Sequence, residues 1–272
     1  MAAAVRGARV FATDAGDESA YIFAYATGKL LGSFGAGLSE PQGLCTDKKT
    51  VWLANTGDSN LLQFSKAGKP LGSLTDPGQY PVSCAVDTQG DIAASNIIST
   101  NSKPGSVSIW AGGHGSPTNY PVTAMARVYF LGYDPHGDLF VDGSDASGIF
   151  ALAELVKGAS AFVPLTVKGA TINFPGGVQF ADRALAIGDQ SGPSGNGVIY
   201  QTNVNGSTDT VIGKTVLKGA GDVVGFCITR YKTVIAPTSQ GLELFPYPAG
   251  GDPIRNFGAN QQQELEDCAI VY

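Results

Sequence analysis

Two stretches of the chain carry the same order of apolar and polar positions: PQGLCTDKKTVWLAN from Pro41 to Asn55, and PVSCAVDTQGDIAASN from Pro81 to Asn96. Each opens on proline, runs through a short apolar segment, breaks at a tight polar turn and resumes in a second apolar segment ending in Asn. Apolar run, turn and apolar run is the pattern of a β-hairpin. Behind the first copy come the polar TGDSN, then LLQFS, the turn KAGK and PLGSL. The pattern therefore predicts four strands in about forty residues, the size of one propeller blade.

The N-terminus repeats the second half of this unit: VFATD, the polar DAGDES, AYIFAY, the turn ATGK and LLGSFG. Drifted copies follow downstream, among them DLFVDG with GIFALAEL, ALAIGD with GVIYQT, and KTVIAPT with LELFPYP. Second strands are expected to end at Asp14, Asn55, Asn96, Asp142, Asp189 and Pro237-Thr238. First strands are expected at GLCTD, SCAVD, YFLGYD, GVQFAD, GFCITR and, at the C-terminus, DCAIVY. The last of these has no second strand after it, while the N-terminus begins with a second strand that has no first. The pattern thus predicts an all-β, six-bladed propeller with four-stranded blades. Its ring is closed where the C-terminal strand, Asp267 to Tyr272, joins the three N-terminal strands, an arrangement that hides two sheet edges. One domain, residues 1–272, is expected. Its blades cover about 264–272 with 8–36, then 41–75, 81–117, 127–167, 175–218 and 222–258.

The repeat resembles that of NHL-type propellers, Pro-x-Gly-φ-Ala-φ-Asp followed by Gly-x-φ-x-φ-Ala-Asn/Asp, where φ is apolar. Pro41, Gly43 and Asp47 fit it, as do Pro81, Ala85, Asp87, Gly90 and Asn96. The resemblance is broad, toward gluconolactonase and streptogramin-lyase propellers. It implies the fold but not the activity, because such propellers host binding proteins, lyases, lactonases and scaffolds. Streptogramin lyases and amidating lyases depend on histidines, and the two here, His114 in AGGHGSP and His136 in DPHGD, fall at expected hairpin tips.

Composition narrows the choice. Glycine fills 37 of 272 positions and charged residues only 15%, which suits many turns and short strands better than amphipathic helices. The net charge of −6 and the lack of a basic cluster argue against nucleic acid as a partner. No apolar run approaches a membrane-spanning length, so no membrane partner is expected either. The low charge and abundant Ser, Thr and Gly suit an exported bacterial protein, secreted or periplasmic, whose leader is not part of this sequence. A monomer is expected.

Two sets of residues could carry function. Asp14, Asn55, Asn96, Asp142 and Asp189 end second strands on one loop face, where converging oxygens could hold Ca²⁺. The resemblance to gluconolactonase and paraoxonase implies what such an ion would do, polarising a lactone carbonyl. The competing reading is that Asn or Asp at a strand end bonds its own turn. On the same face, Glu40-Pro41, Tyr80-Pro81, Tyr120-Pro121, Phe174-Pro175 and Asp222 lead into first strands. Proline holds the residue before it extended, so Tyr80, Tyr120 and Phe174 are expected to present rings at the channel mouth. The loops NIISTNSKPG and DQSGPSGNG would roof that mouth.

Cys45, Cys84, Cys227 and Cys268 lie on first strands without a metal spacing, and buried free thiols are expected. The pair to test for a bridge between neighbouring first strands is Cys45 with Cys268. Nucleotide and serine-hydrolase motifs fail on spacing: GSTDTVIGKT is too long for a phosphate loop, and DQSGPSGNG lacks the final glycine of G-x-S-x-G.

The expected function is that of a non-enzymatic binding module that takes a small ligand, a glycan or a protein on its loop face. The alternatives are a calcium-dependent lactonase or esterase, with Glu40 or Asp222 supporting the metal ring, and a structural interaction domain.

Overall fold

The computed structural model describes residues 7–47, 49–257 and 264–272. In chain order the strands are β1 (Arg9–Asp14), β2 (Ser19–Ala24), β3 (Leu30–Phe34), β4 (Pro41–Thr46), β5 (Thr50–Asn55), β6 (Asn60–Ser65), β7 (Pro70–Thr75) and β8 (Gln79–Val86). They continue as β9 (Ile92–Ser99), β10 (Pro104–Trp110), β11 (Thr118–Pro121), β12 (Arg127–Tyr133), β13 (Leu139–Ser144), β14 (Phe150–Leu155), β15 (Val163–Lys168) and β16 (Pro175–Ala181). The remainder are β17 (Ala184–Asp189), β18 (Gly197–Asn205), β19 (Thr208–Leu217), β20 (Cys227–Thr229), β21 (Thr233–Thr238), β22 (Gly241–Pro246), β23 (Arg255–Asn256) and β24 (Leu265–Val271). The described helical turns are 3₁₀ turns of three residues, at Thr56–Asp58, Ala111–Gly113 and Pro193–Gly195.

Four sheets have four antiparallel strands each, in the orders β24-β1-β2-β3, β4-β5-β6-β7, β11-β10-β9-β8 and β20-β21-β22-β23. A fifth, eight-stranded sheet consists of β12-β13-β14-β15 and β16-β17-β18-β19, joined where Thr166–Lys168 runs parallel to Thr208–Thr210. The C-terminal strand therefore pairs with the N-terminal one, Val271 opposite Arg9 and Cys268 opposite Ala12. The first strands β4, β8, β12, β16, β20 and β24 touch in succession, and β24 also touches β4. This is the plan of a β-propeller.

Period-two alternation builds the core. Along β1, Val10 and Ala12 pack against Ile235 and Leu244 of one neighbouring sheet, while Phe11 packs against Leu44, Val51 and Leu53 of the other. Along β5, Val51 and Leu53 face back, and Trp52 and Ala54 face forward to Cys84, Ile92 and Trp110. Both β1 and β5 are thus apolar on both faces, so the sequence reads there as short unbroken apolar runs. Glycine sets the spacing of the first strands. A Cβ on Gly43 would lie 2.5 Å from Ser83 Cα, so β4 and β8 approach this closely only because that atom is absent.

The structure alters several expectations. The third repeat runs past residue 117, because Thr118–Pro121 pairs with β10 as an outer strand. Tyr120-Pro121 therefore does not lead into a first strand; an X-Pro pair is equally at home on a sheet edge. Most of NIISTNSKPG is strand rather than loop, since β9 continues to Ser99. Residue 258, the expected end of the last repeat, lies outside the described residues.

The cysteines are not free thiols. Cys45 is bonded to Cys84, joining β4 to β8, and Cys227 to Cys268, joining β20 to β24. Their Cα separations of 5.5 and 5.8 Å lie within the range a disulfide spans. The expected pair Cys45 and Cys268 does not form. Cys45 turns toward β8, where Gly43 brings the backbones together, and the contact from β24 to β4 is made instead by Asp267, which accepts the Leu44 amide at 2.9 Å. Two disulfides are compatible with an extracellular or periplasmic protein. Among the described residues no helix is long and apolar enough to cross a membrane.

Candidate binding face and central channel

The strand-end ring of Asp14, Asn55, Asn96, Asp142 and Asp189 is fully buried, and its polar atoms are engaged mainly with the protein itself. Asp189 accepts the amides of Asn173, Phe174 and Ser191 at 3.1–3.2 Å, together with the side-chain amide of Asn173. Asn55 accepts the Ser39 amide at 2.7 Å, and Asp14 accepts those of Asp17 and Glu264 at 3.1 Å. Asp142 accepts the Phe130 amide at 2.9 Å, and burial pushes its carboxyl well above the usual carboxylate range. For Asp14, Asn55 and Asp189, a second-strand end thus fastens the backbone just before its neighbouring first strand, and Asp142 fastens the middle of β12. Among the described residues no group of three or more His, Cys, Asp or Glu side chains is placed to hold a metal ion. This donor set does not fit a calcium ion shared around the ring.

Asn96 is the exception and faces outward along its sheet. Its amide donates to Ser106 and Ser108 at 3.3 and 3.0 Å, and the Asn119 amide donates to the same two hydroxyls at 2.8 and 3.2 Å. The Ser108 hydroxyl donates to Asp76, and that of Ser106 to Gln79. Each serine oxygen is then saturated, with two N–H groups accepted and one O–H donated. Asp76 Oδ2 and Asn96 Oδ1 remain without a hydrogen bond.

The structure brings together two of the residues expected to bind ligand. Glu40 and Tyr80 line one groove of about 460 Å³ on the loop face, with Ser39, Thr56, Ile97 and Ile98. Glu40 is exposed and held at φ 48°, a left-handed conformation that turns the chain before Pro41. Phe174 lies apart from this groove, 37% exposed and packed on Tyr129 with ring centroids 5.5 Å apart. Asp222 is exposed in the segment before β20. Tyr120, on β11, packs against the core between two sheets. His114 and His136 are both exposed in turns.

A central channel of about 270 Å³ is lined by β4, β8, β12, β16, β20 and β24, including all four cysteines, Phe130, Tyr133, Phe180, Phe226 and Asp267. Asp267 is buried there, accepting the Leu44 and Cys268 amides at 2.9 and 2.8 Å. Sequence reasoning did not single it out. The signal was present in LEDCAIVY, two adjacent acids, Glu266 and Asp267, inside an otherwise apolar first strand. Ile97 and Ile98 break the alternation of β9 and thereby marked the wall of the groove.

No family model matches the chain, and no curated protein matches its sequence. Solved structures share its fold. A chain of the nidogen/laminin complex aligns with a TM-score of 0.75 at 12% identity, over 97% of this chain and 98% of that one. A gluconolactonase from Xanthomonas campestris aligns with a TM-score of 0.61 at 14% identity, over 84% and 78%. Streptogramin B lyase aligns with a TM-score of 0.59 at 14% identity, over 82% and 70%. At such identities the likeness is one of fold alone, and the chain is a β-propeller.

Proposed function

We propose that the chain is a six-bladed propeller, closed by β24 joining β1, β2 and β3, and that it serves as a non-enzymatic binding module of an exported protein. The observation that carries the binding reading is the groove of Glu40 and Tyr80. A flat ring, two isoleucine side chains and a carboxylate meet there, and among the described residues no hydrogen bond or ion pair engages the Glu40 carboxylate or the Tyr80 hydroxyl. Such a wall suits a ligand with one apolar face and several hydroxyl donors, as a sugar ring has. The strand-end acids, in contrast, are buried and accept backbone amides, which leaves them poorly disposed to act on a substrate.

A glycan array followed by titration calorimetry tests the reading. A bound saccharide whose affinity falls about tenfold or more in Tyr80→Ala and Glu40→Gln, with unchanged melting, supports it. Binding untouched by both variants moves the site elsewhere. Turnover on a panel of lactones and esters would overturn the non-enzymatic reading.

A further inference from the structure

We propose that the central channel binds a compact organic cation, whose ammonium group pairs with the carboxylate of Asp267. This site shares no lining residue with the groove of Glu40 and Tyr80, and the inference stands without the groove. Among the described residues, Asp267 is the one charged side chain lining the channel. The two described salt bridges, Lys218 with Asp252 and Lys232 with Asp182, are exposed, so among the described residues no cationic side chain pairs with Asp267. A buried carboxylate normally has a counter-ion or becomes neutral. Two backbone amides hold this one in place, and each oxygen keeps a further lone pair.

The surroundings select the sign of the ligand. Glu266 precedes Asp267 on β24, with Glu264 and Asp14 close enough to Glu266 to add negative charge. The channel walls from β4, β8, β12, β16 and β20 bring no cation, and their one titratable phenol is Tyr133. Burial, with a smaller contribution from Glu266, pushes Asp267 up to about 7, so an arriving ammonium would restore its charge. An anion would meet this field unfavourably. A calcium ion needs six or more oxygen ligands, and the lining offers few. Gln179 is already engaged with the backbone of Ile228 on both its amide atoms. The aromatic walls of Phe130, Phe180 and Phe226 suit an organic cation, and the volume falls just under the usual range of ligand pockets, which sets a small size.

Calorimetric titration of the full, oxidised chain with benzylamine and with benzyl alcohol, its neutral isostere, tests this. Near pH 8 the amine should bind at least about tenfold tighter than the alcohol, and near pH 5.5 its affinity should fall by about tenfold or more as Asp267 takes a proton. Asp267→Asn should remove the preference for the amine. If that variant does not fold, the pH pair on the unaltered chain still decides. Equal binding of amine and alcohol, no binding of the amine, or amine binding lost in Tyr80→Ala but kept in Asp267→Asn would overturn the proposal.

Discussion

The Asp76 carboxylate accepts the Ser108 hydroxyl at 2.8 Å, tying the segment after β7 to β10 of the next sheet. Asp76 is only 1% exposed, and its second oxygen has no donor. Burial pushes its carboxyl up to about 6, against the opposing pull of Ser108 and Asn96. Between the ordinary carboxylate value and about 6, the folded state therefore holds a proton that the unfolded state has lost. Stability should fall as pH rises from about 4 to about 6, then level off for this group. Glu266 and Asp267, both pushed up to about 7, extend the decline in the same direction. In Asp76→Asn no charge has to be buried, so the variant should gain about 1–3 kcal/mol near pH 7.5 and little or nothing near pH 4. Melting temperatures across this range decide it, and an unchanged profile in the variant would remove Asp76 from the account.

Deleting residues 265–272 should destabilise the whole fold rather than fray one end. The segment carries β24, whose Cys268, Ala269, Ile270 and Val271 are buried, and it supplies the Cys227 bridge and the Asp267 carboxylate that holds the Leu44 amide. Burial of its aliphatic side chains alone is worth about 5 kcal/mol. A truncated chain that melts like the full one would show that the pairing of β24 with β1 contributes little.

What could be read in advance followed from backbone geometry repeated along the chain. Pro41 and Pro81 mark first strands, Asn55 and Asp189 end second strands, and an unpaired DCAIVY had an unpaired VFATD to join. Local pattern does not say which neighbour a side chain selects. Tyr120-Pro121 reads as extended whether it leads into an inner strand or, as here, forms an edge. Four cysteines on separate repeats have no pairing signature, and the bridge on β4 follows the side on which Gly43 lets the backbones close. The ring of Asp and Asn was legible as positions. That its oxygens would be taken by amides such as those of Ser39 and Phe174 depends on loops whose course no single repeat specifies.

Those amides make a prediction for Asp189. Replacing it by Ala leaves the amides of Asn173, Phe174 and Ser191 without their buried acceptor, and should reduce stability by about 1–3 kcal/mol. Excess Ca²⁺ should leave the melting temperature of the unaltered chain in place. A cation at a hundred times its Kd would add about 2.7 kcal/mol and raise the midpoint by about 5–10 °C. Such a rise, lost in Asp189→Ala, would show that the ring holds a cation after all.

Two glycines separate close packing from mere turn chemistry. Gly43 faces Ser83 Cα and the Val82 carbonyl, so Gly43→Ala must push β4 away from β8, with backbone rather than a flexible side chain in the way. Overpacking of this kind costs about 1–3 kcal/mol. The same displacement pulls on the Cys45 and Cys84 bridge, which closes a loop with a sequence separation of 39. Loop-closure entropy puts that bridge at about 4 kcal/mol, so reduction should lower the stability of the unaltered chain by a similar amount. Gly32, on the outer strand β3, has nothing within 4 Å of an added Cβ, and Gly32→Ala should be neutral within about 0.5 kcal/mol. Urea unfolding of both variants, oxidised and reduced, checks the contrast. If Gly43→Ala loses stability only while oxidised, the damage lies in the bridge. Loss in both states places it in the contact between the strands, the outcome expected from Ser83 and Val82, and no loss in either would mean that β4 and β8 can separate at no cost.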